Sequence, residues 1–304
     1  FSILRCDNPE TFIQNLSGAD RDICDYLDEE VFGLQPDHIK DFLIKTAVLE
    51  SFNASLCDAL TGRNDSSEIL RTLDDANLFV FPLDNTRNEY RYHRFFADVL
   101  KARLERTHPE ISPDLYRRAC DWCRQADMPE SAVKYALTGG QYEAAADIMT
   151  GLADIMIQRR EYRLLGRWFD LLPEEAAIKR PLLGIYRVHV LVEHSRFMDA
   201  ERSLDMLEKK WAQARKKLDI APDQKTLIDG GIMALKGLLA FTRFEFDQSW
   251  KYSHQALEQL NDRPCAFTLL AMTSIAFTCY FEERLDEAEA IFLRLRNICR
   301  QLAT

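Results

Sequence analysis

The chain has 304 residues, of which 47% are hydrophobic and 29% charged, and its formal net charge at pH 7 is −10. This is an ordinary globular composition, and the length is sufficient for two or three domains. Nucleic-acid binding needs broad basic surfaces that neutralise phosphates. The basic runs here are short, such as KKWAQARKK at 209–217, and are typical of a solvated helix face. The composition therefore argues against direct nucleic-acid binding by this chain.

The eight cysteines are scattered along the chain, and most of them stand among apolar residues. This usage is typical of buried free thiols in a reducing compartment rather than of a disulfide framework. The sequence contains neither a secretory signal peptide nor a run of about 20 apolar residues that could span a bilayer. We therefore predict a cytoplasmic protein without membrane contact.

The first 107 residues predict short helices followed by a hairpin. Residues 9–34 have helical apolar spacing, with Asp20 as a possible cap inside the run. Pro36 then opens one helix, Gly62 closes a second, and Asp65 or Ser66 caps a third. The β-type runs LFVFPL and EYRYH flank the turn-forming pentad DNTRN, and a helix over 93–106 follows. The order predicts a winged-helix module over 36–107, preceded by a helical linker over 1–35.

A winged helix commonly binds DNA through its third helix and its hairpin, so the charges of 65–91 are informative. Acidic residues outnumber basic ones there: Asp65, Glu68, Asp74, Asp75, Asp84 and Glu89 stand against Arg71, Arg87 and Arg91. Such a surface would repel phosphates. We predict that this module contacts protein, with a purely structural spacer as the alternative.

Beyond residue 108 the sequence is helical throughout, with irregular helical pairs over 108–180 and a weak repeat over 181–304. The segments that start at Phe197, Phe246 and Leu285 each place a small residue three positions later, namely Ala200, Ser249 and Ala288. Each of these segments follows a more apolar helix. The spacing is longer than the roughly 34 residues of a strict tetratricopeptide repeat. The pattern predicts a mostly α fold, in which a winged helix with a small hairpin precedes a tetratricopeptide-like, right-handed helical superhelix.

The residue types of catalytic and metal sites occur, but not in productive arrangements. Cys120 and Cys123 form a lone CDWC inside a helix, with no second pair and no nearby histidine to complete a zinc site. His189 and His194 are five residues apart, whereas metal-binding histidines on a helix are four apart. No phosphate-binding loop, dinucleotide motif or nucleophile elbow is present. The sequence predicts neither an enzyme nor a metal site.

Several longer segments resemble one family. These are SGADRDICDYLDEEVFGLQPDHIKDFLIKTAVL (17–49), LCDALTG (56–62), LDDANLFVFPLD (73–84), YRYHRFFADVLKARL (90–104), and LGRWFDLLPEE with RPLLGIYR (165–187). They are similar to the middle of MalT-type activators, which are large ATP-dependent regulators of the LuxR class within the signal-transducing ATPases with numerous domains. Ser195 stands where that family often has glycine.

The resemblance implies the regulatory part of a transcriptional activator. It implies a preceding nucleotide-binding module with ATP or ADP and Mg²⁺, a helical sensor of an inducer or regulatory protein, a following DNA-binding module, and self-association in the activated state. This chain would itself carry no cofactor. In related ATPases a winged-helix histidine contacts the ADP β-phosphate, and His93 in YRYH matches that place. The resemblance thus makes His93 a candidate sensor of the nucleotide state, and the alternative is a histidine that merely ends a strand.

The first helices of tetratricopeptide-like pairs usually line the concave wall. That placement selects the candidate ligand-binding residues Tyr186, His189, Met233, Lys236, Arg243, Phe267 and Met272. The alternative for each is inter-helix packing. At the level of function, the alternative is a scaffold that binds a protein or peptide and no small molecule.

Overall fold

The computed structural model describes residues 26–215, 220–261 and 263–302. The described residues do not include the predicted cap Asp20 or most of the predicted helix over 9–34. They also do not include Cys6, Cys24, and Lys216 and Lys217 of the basic run. The chain divides into two compact units, Phe1–Gly140 and Gln141–Thr304. Within the described part of the first unit, Leu27–Phe32 is a π-helical turn rather than the end of an α-helix.

The first unit contains six α-helices and one hairpin among its described residues. Their bounds are α1 Asp37–Thr46, α2 Ala54–Thr61, α3 Ser66–Asp75, β1 Val80–Pro82, β2 Tyr90–Tyr92, α4 Arg94–Thr107, α5 Ser112–Gln125 and α6 Pro129–Thr138. The strands are antiparallel, and Phe81 pairs with Arg91 at the centre of the hairpin. Helix α1 contacts α2 and α4, α3 contacts α2 and β1, and α5 contacts α2 and α6. The predicted winged helix is therefore confirmed.

Local chemistry explains where these elements begin and end. The Asn53 side chain accepts a hydrogen bond from the Leu56 amide at 2.9 Å and so caps the start of α2. Gly62 ends α2 at φ +72°, a left-handed conformation that glycine adopts at little cost. In the hairpin turn, the Asp84 carboxylate accepts a hydrogen bond from the Asn88 amide at 2.9 Å. The predicted stop at Gly62 and the predicted turn at 84–88 are thus explained by side-chain and backbone hydrogen bonds.

The core of this unit lies beneath the hairpin. Phe42, Phe52 and Phe96 are at most 1% exposed. The Thr46 and Tyr92 hydroxyls share a buried hydrogen bond at 2.6 Å, which ties α1 to the strand that leads to His93. Aromatic packing and this hydrogen bond together fix β2 and the start of α4.

The second unit is entirely helical over its described residues. Its helices are α7 Tyr142–Gln158, α8 Tyr162–Leu171, α9 Glu174–Ile178, α10 Pro181–Glu193, α11 Phe197–Ala214, α12 Pro222–Thr242, α13 Phe246–Leu260, α14 Ala266–Phe281 and α15 Leu285–Leu302. Successive pairs pack together as α10 with α11, α12 with α13, and α14 with α15, while α10 contacts α12 and α12 contacts α14. Helix α7 contacts α8, α9, α10 and also α14.

Small residues allow the helices of a pair to approach closely. Ala200, Ser249 and Ala288, the predicted small positions, are all at most 3% exposed. A Cβ on Gly184 would lie 2.8 Å from a methyl group of Leu207, so the absence of a side chain allows Leu207 to pack closely between α10 and α11. The fold class predicted from the repeat, a mostly α chain with stacked helical hairpins, is confirmed.

Candidate functional site

His93 occupies the junction between β2 and α4. Its backbone amide donates a 2.7 Å hydrogen bond to the Phe79 carbonyl, and its own carbonyl accepts one from the Ala97 amide at 2.9 Å. These bonds close the hairpin and start the helix. The position of the residue is therefore fixed by its backbone, and the imidazole is not needed to hold the strand and the helix together.

Aromatic rings surround the half-buried imidazole. Its centroid lies 6.1 Å from that of Phe79, 5.9 Å from Phe81 and 5.6 Å from Phe95. Nδ1 is buried and has no hydrogen-bond partner among the described residues. Burial, and secondarily the positive charge of Arg91, lowers the pKa of His93 below its usual value. Among the described residues, the ring therefore keeps one buried nitrogen, Nδ1, whose hydrogen-bonding capacity is unused.

The backbone beside His93 is strained. Phe79, whose carbonyl accepts the His93 amide, has φ +56°, a left-handed conformation that a bulky side chain adopts rarely. A residue of this kind costs on the order of 1–3 kcal/mol, and such residues occur more often at functional sites. The surrounding packing, which includes a 5.6 Å contact between the Phe79 and Phe96 rings, maintains the conformation.

Three of the predicted ligand-binding residues come together in the second unit. Tyr186 and His189 lie on α10, and Phe267 lies on α14. The Tyr186 and Phe267 rings stack at 5.5 Å, and the His189 and Phe267 ring centroids are 6.0 Å apart. These three residues, which we call the inner wall, are 1–3% exposed. In this conformation almost none of their surface is accessible to solvent.

Polar groups from other helices complete the inner wall. The Tyr186 hydroxyl donates a 3.0 Å hydrogen bond to Asp154 of α7, and burial, followed by the Asp154 charge, raises the pKa of Tyr186. His189 Nε2 lies 3.4 Å from a Glu193 carboxylate oxygen, and Tyr162 of α8 contacts the imidazole with ring centroids 5.8 Å apart. His189 Nδ1 is buried without a hydrogen-bond partner among the described residues.

The other predicted ligand-binding residues lie elsewhere. Lys236 pairs with Glu208 at 2.6 Å and lies over the Tyr252 ring. Arg243 pairs with Glu201 and Glu245, and these hydrogen bonds raise the pKa of its guanidinium. Met272 is buried against Leu295 and Ile298 of α15, and Met233 is half-buried on α12. The structure therefore brings Tyr186, His189 and Phe267 together but not these four.

The sequence prediction missed Asp154, Tyr162 and Glu193. Glu193 had a detectable signal, because it follows His189 by four residues and so lies on the same helix face. Asp154 and Tyr162 had none, since α7 and α8 meet the inner wall only through the tertiary fold. His194, considered alongside His189, is exposed and lies beside Gly166, where an added Cβ would clash with its ring.

Other features of the described residues bear on the predicted chemistry. Arg87 of the hairpin pairs with Asp74 at 2.9 Å, so a carboxylate neutralises this wing cation. Cys120 and Cys123 are free and buried, and burial, followed by the neighbouring Cys120, raises the pKa of Cys123 to about 11. The described residues include no group of three or more histidines, cysteines or carboxylates that could hold a metal ion. None of the helices within the described ranges is both long enough and apolar enough to cross a bilayer.

The described residues thus define a mostly α-helical protein in which a winged helix is followed along the chain by stacked helical hairpins. Residues 28–112 match the family model for the MalT winged helix domain. The HTH-type transcriptional regulator MalT of Vibrio cholerae is 26% identical over 277 residues, which is 91% of this chain and 30% of that protein. MalT of Klebsiella pneumoniae is 24% identical over 78% of this chain.

A solved structure supports the same fold. It is a signal transduction ATPase with numerous domains from Pyrococcus horikoshii that carries a tetratricopeptide repeat sensor, with TM-score 0.56, 15% identity, and coverage of 92% of this chain and 40% of that chain. The chain is thus similar to MalT regulators over most of its length and contains a segment that matches the MalT winged helix domain, in agreement with the sequence resemblance. It spans about 30% of the length of the Vibrio relatives it matches.

Proposed function

We propose that this chain is the regulatory and signal-sensing part of an ATP-dependent transcriptional activator. The observation that carries the proposal is the similarity to MalT regulators over 91% of the chain, together with the MalT winged helix over 28–112. In this proposal the helical pairs bind an inducer or a regulatory protein. The winged helix then transmits that event to a nucleotide-binding module and a DNA-binding module of the intact protein. The chain itself performs no catalysis.

The domain organisation in this proposal follows the sequence prediction. The proposed domains are a linker over 1–35, a winged helix over 36–107, helical pairs over 108–180 and sensor repeats over 181–304, and the boundary between the two compact units, Gly140/Gln141, falls within the helical pairs. The pairing of Arg87 with Asp74 supports a winged helix that contacts protein rather than DNA. The Asp74 carboxylate neutralises a positive charge that could otherwise attract DNA phosphates. Self-association belongs to the activated, intact protein in the cytoplasm.

The inner wall supports a small-molecule sensor. Its rings supply apolar surface, whereas the Tyr186 hydroxyl, the His189 imidazole and the neighbouring carboxylates supply directional hydrogen bonds. Ligand sites combine these two features. Met233, Lys236, Arg243 and Met272 remain candidates for a more extended ligand or for a protein partner.

Binding to this chain tests the sensor and separates it from a protein-binding scaffold. We expect one metabolite from a screened collection to raise the melting temperature saturably, because a ligand at 100 times its Kd adds about 2.7 kcal/mol to stability. The measurement is thermal unfolding with and without each metabolite, followed by titration calorimetry. Stabilisation by a purified regulatory protein and by no metabolite would instead support the scaffold.

We propose that His93 senses the state of the bound nucleotide in the intact protein. Its unpartnered Nδ1, its aromatic surroundings and the strained backbone at Phe79 support this role. Burial, followed by the Arg91 charge, lowers the pKa of His93 and so favours the neutral imidazole. A diphosphate and a triphosphate offer different oxygens at the same place, and one imidazole nitrogen is enough to distinguish them.

His93→Ala in the intact regulator is expected to weaken ADP binding by about tenfold, since a hydrogen bond to a charged group contributes roughly 1.5–3 kcal/mol. Transcription should become less dependent on inducer. The measurements are ADP affinity by calorimetry and a reporter assay without inducer. The matched control is His108→Ala, an exposed histidine after α4 that pairs with Glu110 at 3.5 Å. Unchanged ADP affinity in the His93 variant would contradict the role.

A further inference from the structure

The α7–α8 hairpin is anchored at its base. On the α7 arm, Arg180 donates hydrogen bonds to Asp147 at 2.6 Å and to Glu143 at 2.7 Å. On the α8 arm, Arg187 donates to the Phe169 carbonyl at 2.7 Å, and Arg196 pairs with Asp170 at 2.7 Å. The beginning of α7 and the end of α8 are therefore both tied to the elements around α10 by several charge-assisted hydrogen bonds.

The tip of the same hairpin has fewer polar attachments. The turn contains Arg160 at φ +59° and exposed residues at 158–160. Among the described residues, the tip contacts the inner wall through the Asp154–Tyr186 hydrogen bond and the Tyr162–His189 ring contact. Met156 and Ile157 are buried at the tip, so apolar packing favours the closed arrangement when nothing is bound.

The tip covers the residues proposed to bind ligand. Tyr186, His189 and Phe267 are buried although α10 and α14 are inner helices, and α7 reaches across to contact α14. In the covered state, no described residue forms a hydrogen bond with His189 Nδ1. A buried polar atom without a partner is unfavourable, and this disfavours the closed arrangement. Displacement of the tip would give that nitrogen access to water or ligand.

We infer that the α7–α8 hairpin is a lid that closes over the inner wall, with its base as the hinge and the Asp154–Tyr186 hydrogen bond as its catch. In the closed position the wall is inaccessible. Opening the tip exposes the stacked rings and the unsatisfied imidazole in one step. The link between opening and signal sensing rests on the proposed function, whereas the opening itself is a property of this chain that can be measured without any ligand.

A native thiol reports lid position. Cys265 stands at the start of α14, two residues before Phe267, and is 8% exposed. Phe267, on the first turn of the same helix, stacks on the Tyr186 ring at 5.5 Å. Cys279, near the other end of α14, is fully buried and packs with Ile275 and Ala288. Lid opening should therefore expose Cys265 and leave Cys279 protected.

The test is the alkylation rate of each thiol by iodoacetamide in the full 304-residue chain, resolved by peptide mass spectrometry. For Asp154→Ala we expect Cys265 to react about tenfold faster and Cys279 to react at its original rate. Tyr186→Phe, which keeps the stacked ring and removes the hydroxyl, should act in the same direction. Asp147→Ala, an aspartate of the same helix at the base, should change the Cys265 rate by less than about twofold.

Two results would overturn the lid: an unchanged Cys265 rate in both tip variants, or an equal rise at Cys265 and Cys279, which indicates general loosening of the unit. Metabolite titration then tests the sensor separately. If the lid opens but the chain binds no metabolite, the lid is supported and the proposed small-molecule sensor is contradicted.

Discussion

Replacement of Phe96 by alanine is expected to lower the free energy of unfolding of residues 26–140 by about 3–5 kcal/mol. The ring is fully buried and contacts those of Phe79 at 5.6 Å and Tyr92 at 5.9 Å. Its loss leaves a cavity beside the residues that hold His93 in place. The measurement is denaturant dependence of hydrogen exchange, read for peptides of α1 and α4.

Phe81→Ala, on strand β1 of the same unit, is the matched control. Phe81 is 45% exposed, so little apolar surface returns to water when it is truncated. We expect a loss of less than about 1 kcal/mol, in line with substitutions at the surface. Equal losses in the two variants would show that the core is not centred on Phe96.

Gly237→Ala is expected to destabilise the second unit by about 1–3 kcal/mol through overpacking. A Cβ at this position would clash with the Ser253 hydroxyl and lie 3.2 Å from the Ser253 backbone nitrogen. Ser253 is fully buried on α13, so both the side chain and the backbone of that helix must shift. Chemical denaturation followed by helix circular dichroism measures the effect.

Replacement of Gly151 by alanine should instead raise the free energy of unfolding. This glycine lies on an exposed face of α7, and a Cβ there would meet nothing within 4 Å. Alanine in a helix interior is more favourable than glycine by about 0.5–1 kcal/mol, so Gly151→Ala should stabilise the chain. A gain of stability at Gly237 would contradict the described pairing of α12 and α13, and a loss at Gly151 would contradict the exposed position of that glycine on α7.

The secondary structure of the first unit agrees closely with the sequence prediction, because the sequence signals for its helix ends and its turn are local. Gly62 stops α2, Asn53 caps it, and the pentad at 84–88 forms the predicted turn. Each of these effects depends on a few neighbouring residues, and the alternation of apolar side chains assigns the buried faces. The position of His93 between strand and helix was predictable for the same reason. The ring cage around it depends on Phe79 and Phe81 across the hairpin, and the left-handed backbone at Phe79 has no sequence signal.

The second unit followed its sequence only in part. The small residues Ala200, Ser249 and Ala288 predicted which positions are buried between paired helices. The sequence analysis expected residues of the inner helices to face an accessible groove, whereas Tyr186, His189 and Phe267 are buried. The proposed lid would account for this difference. Lys236 and Arg243 found carboxylate partners on other helices, and helical spacing alone carries no information on which partner is within reach.

The sequence by itself determined the helices, the hairpin, the winged helix, the repeated helical pairs and the resemblance to MalT-type regulators, because periodicity, caps and turns act over a few residues. Only the tertiary structure decided that α7 lies against α10 and α14, that Asp154 binds Tyr186, and that the inner wall is covered. The physical reason is that apolar burial is non-directional. Each helix must bury its own apolar face, and the shapes of all the helices together determine which neighbouring helices that face packs against.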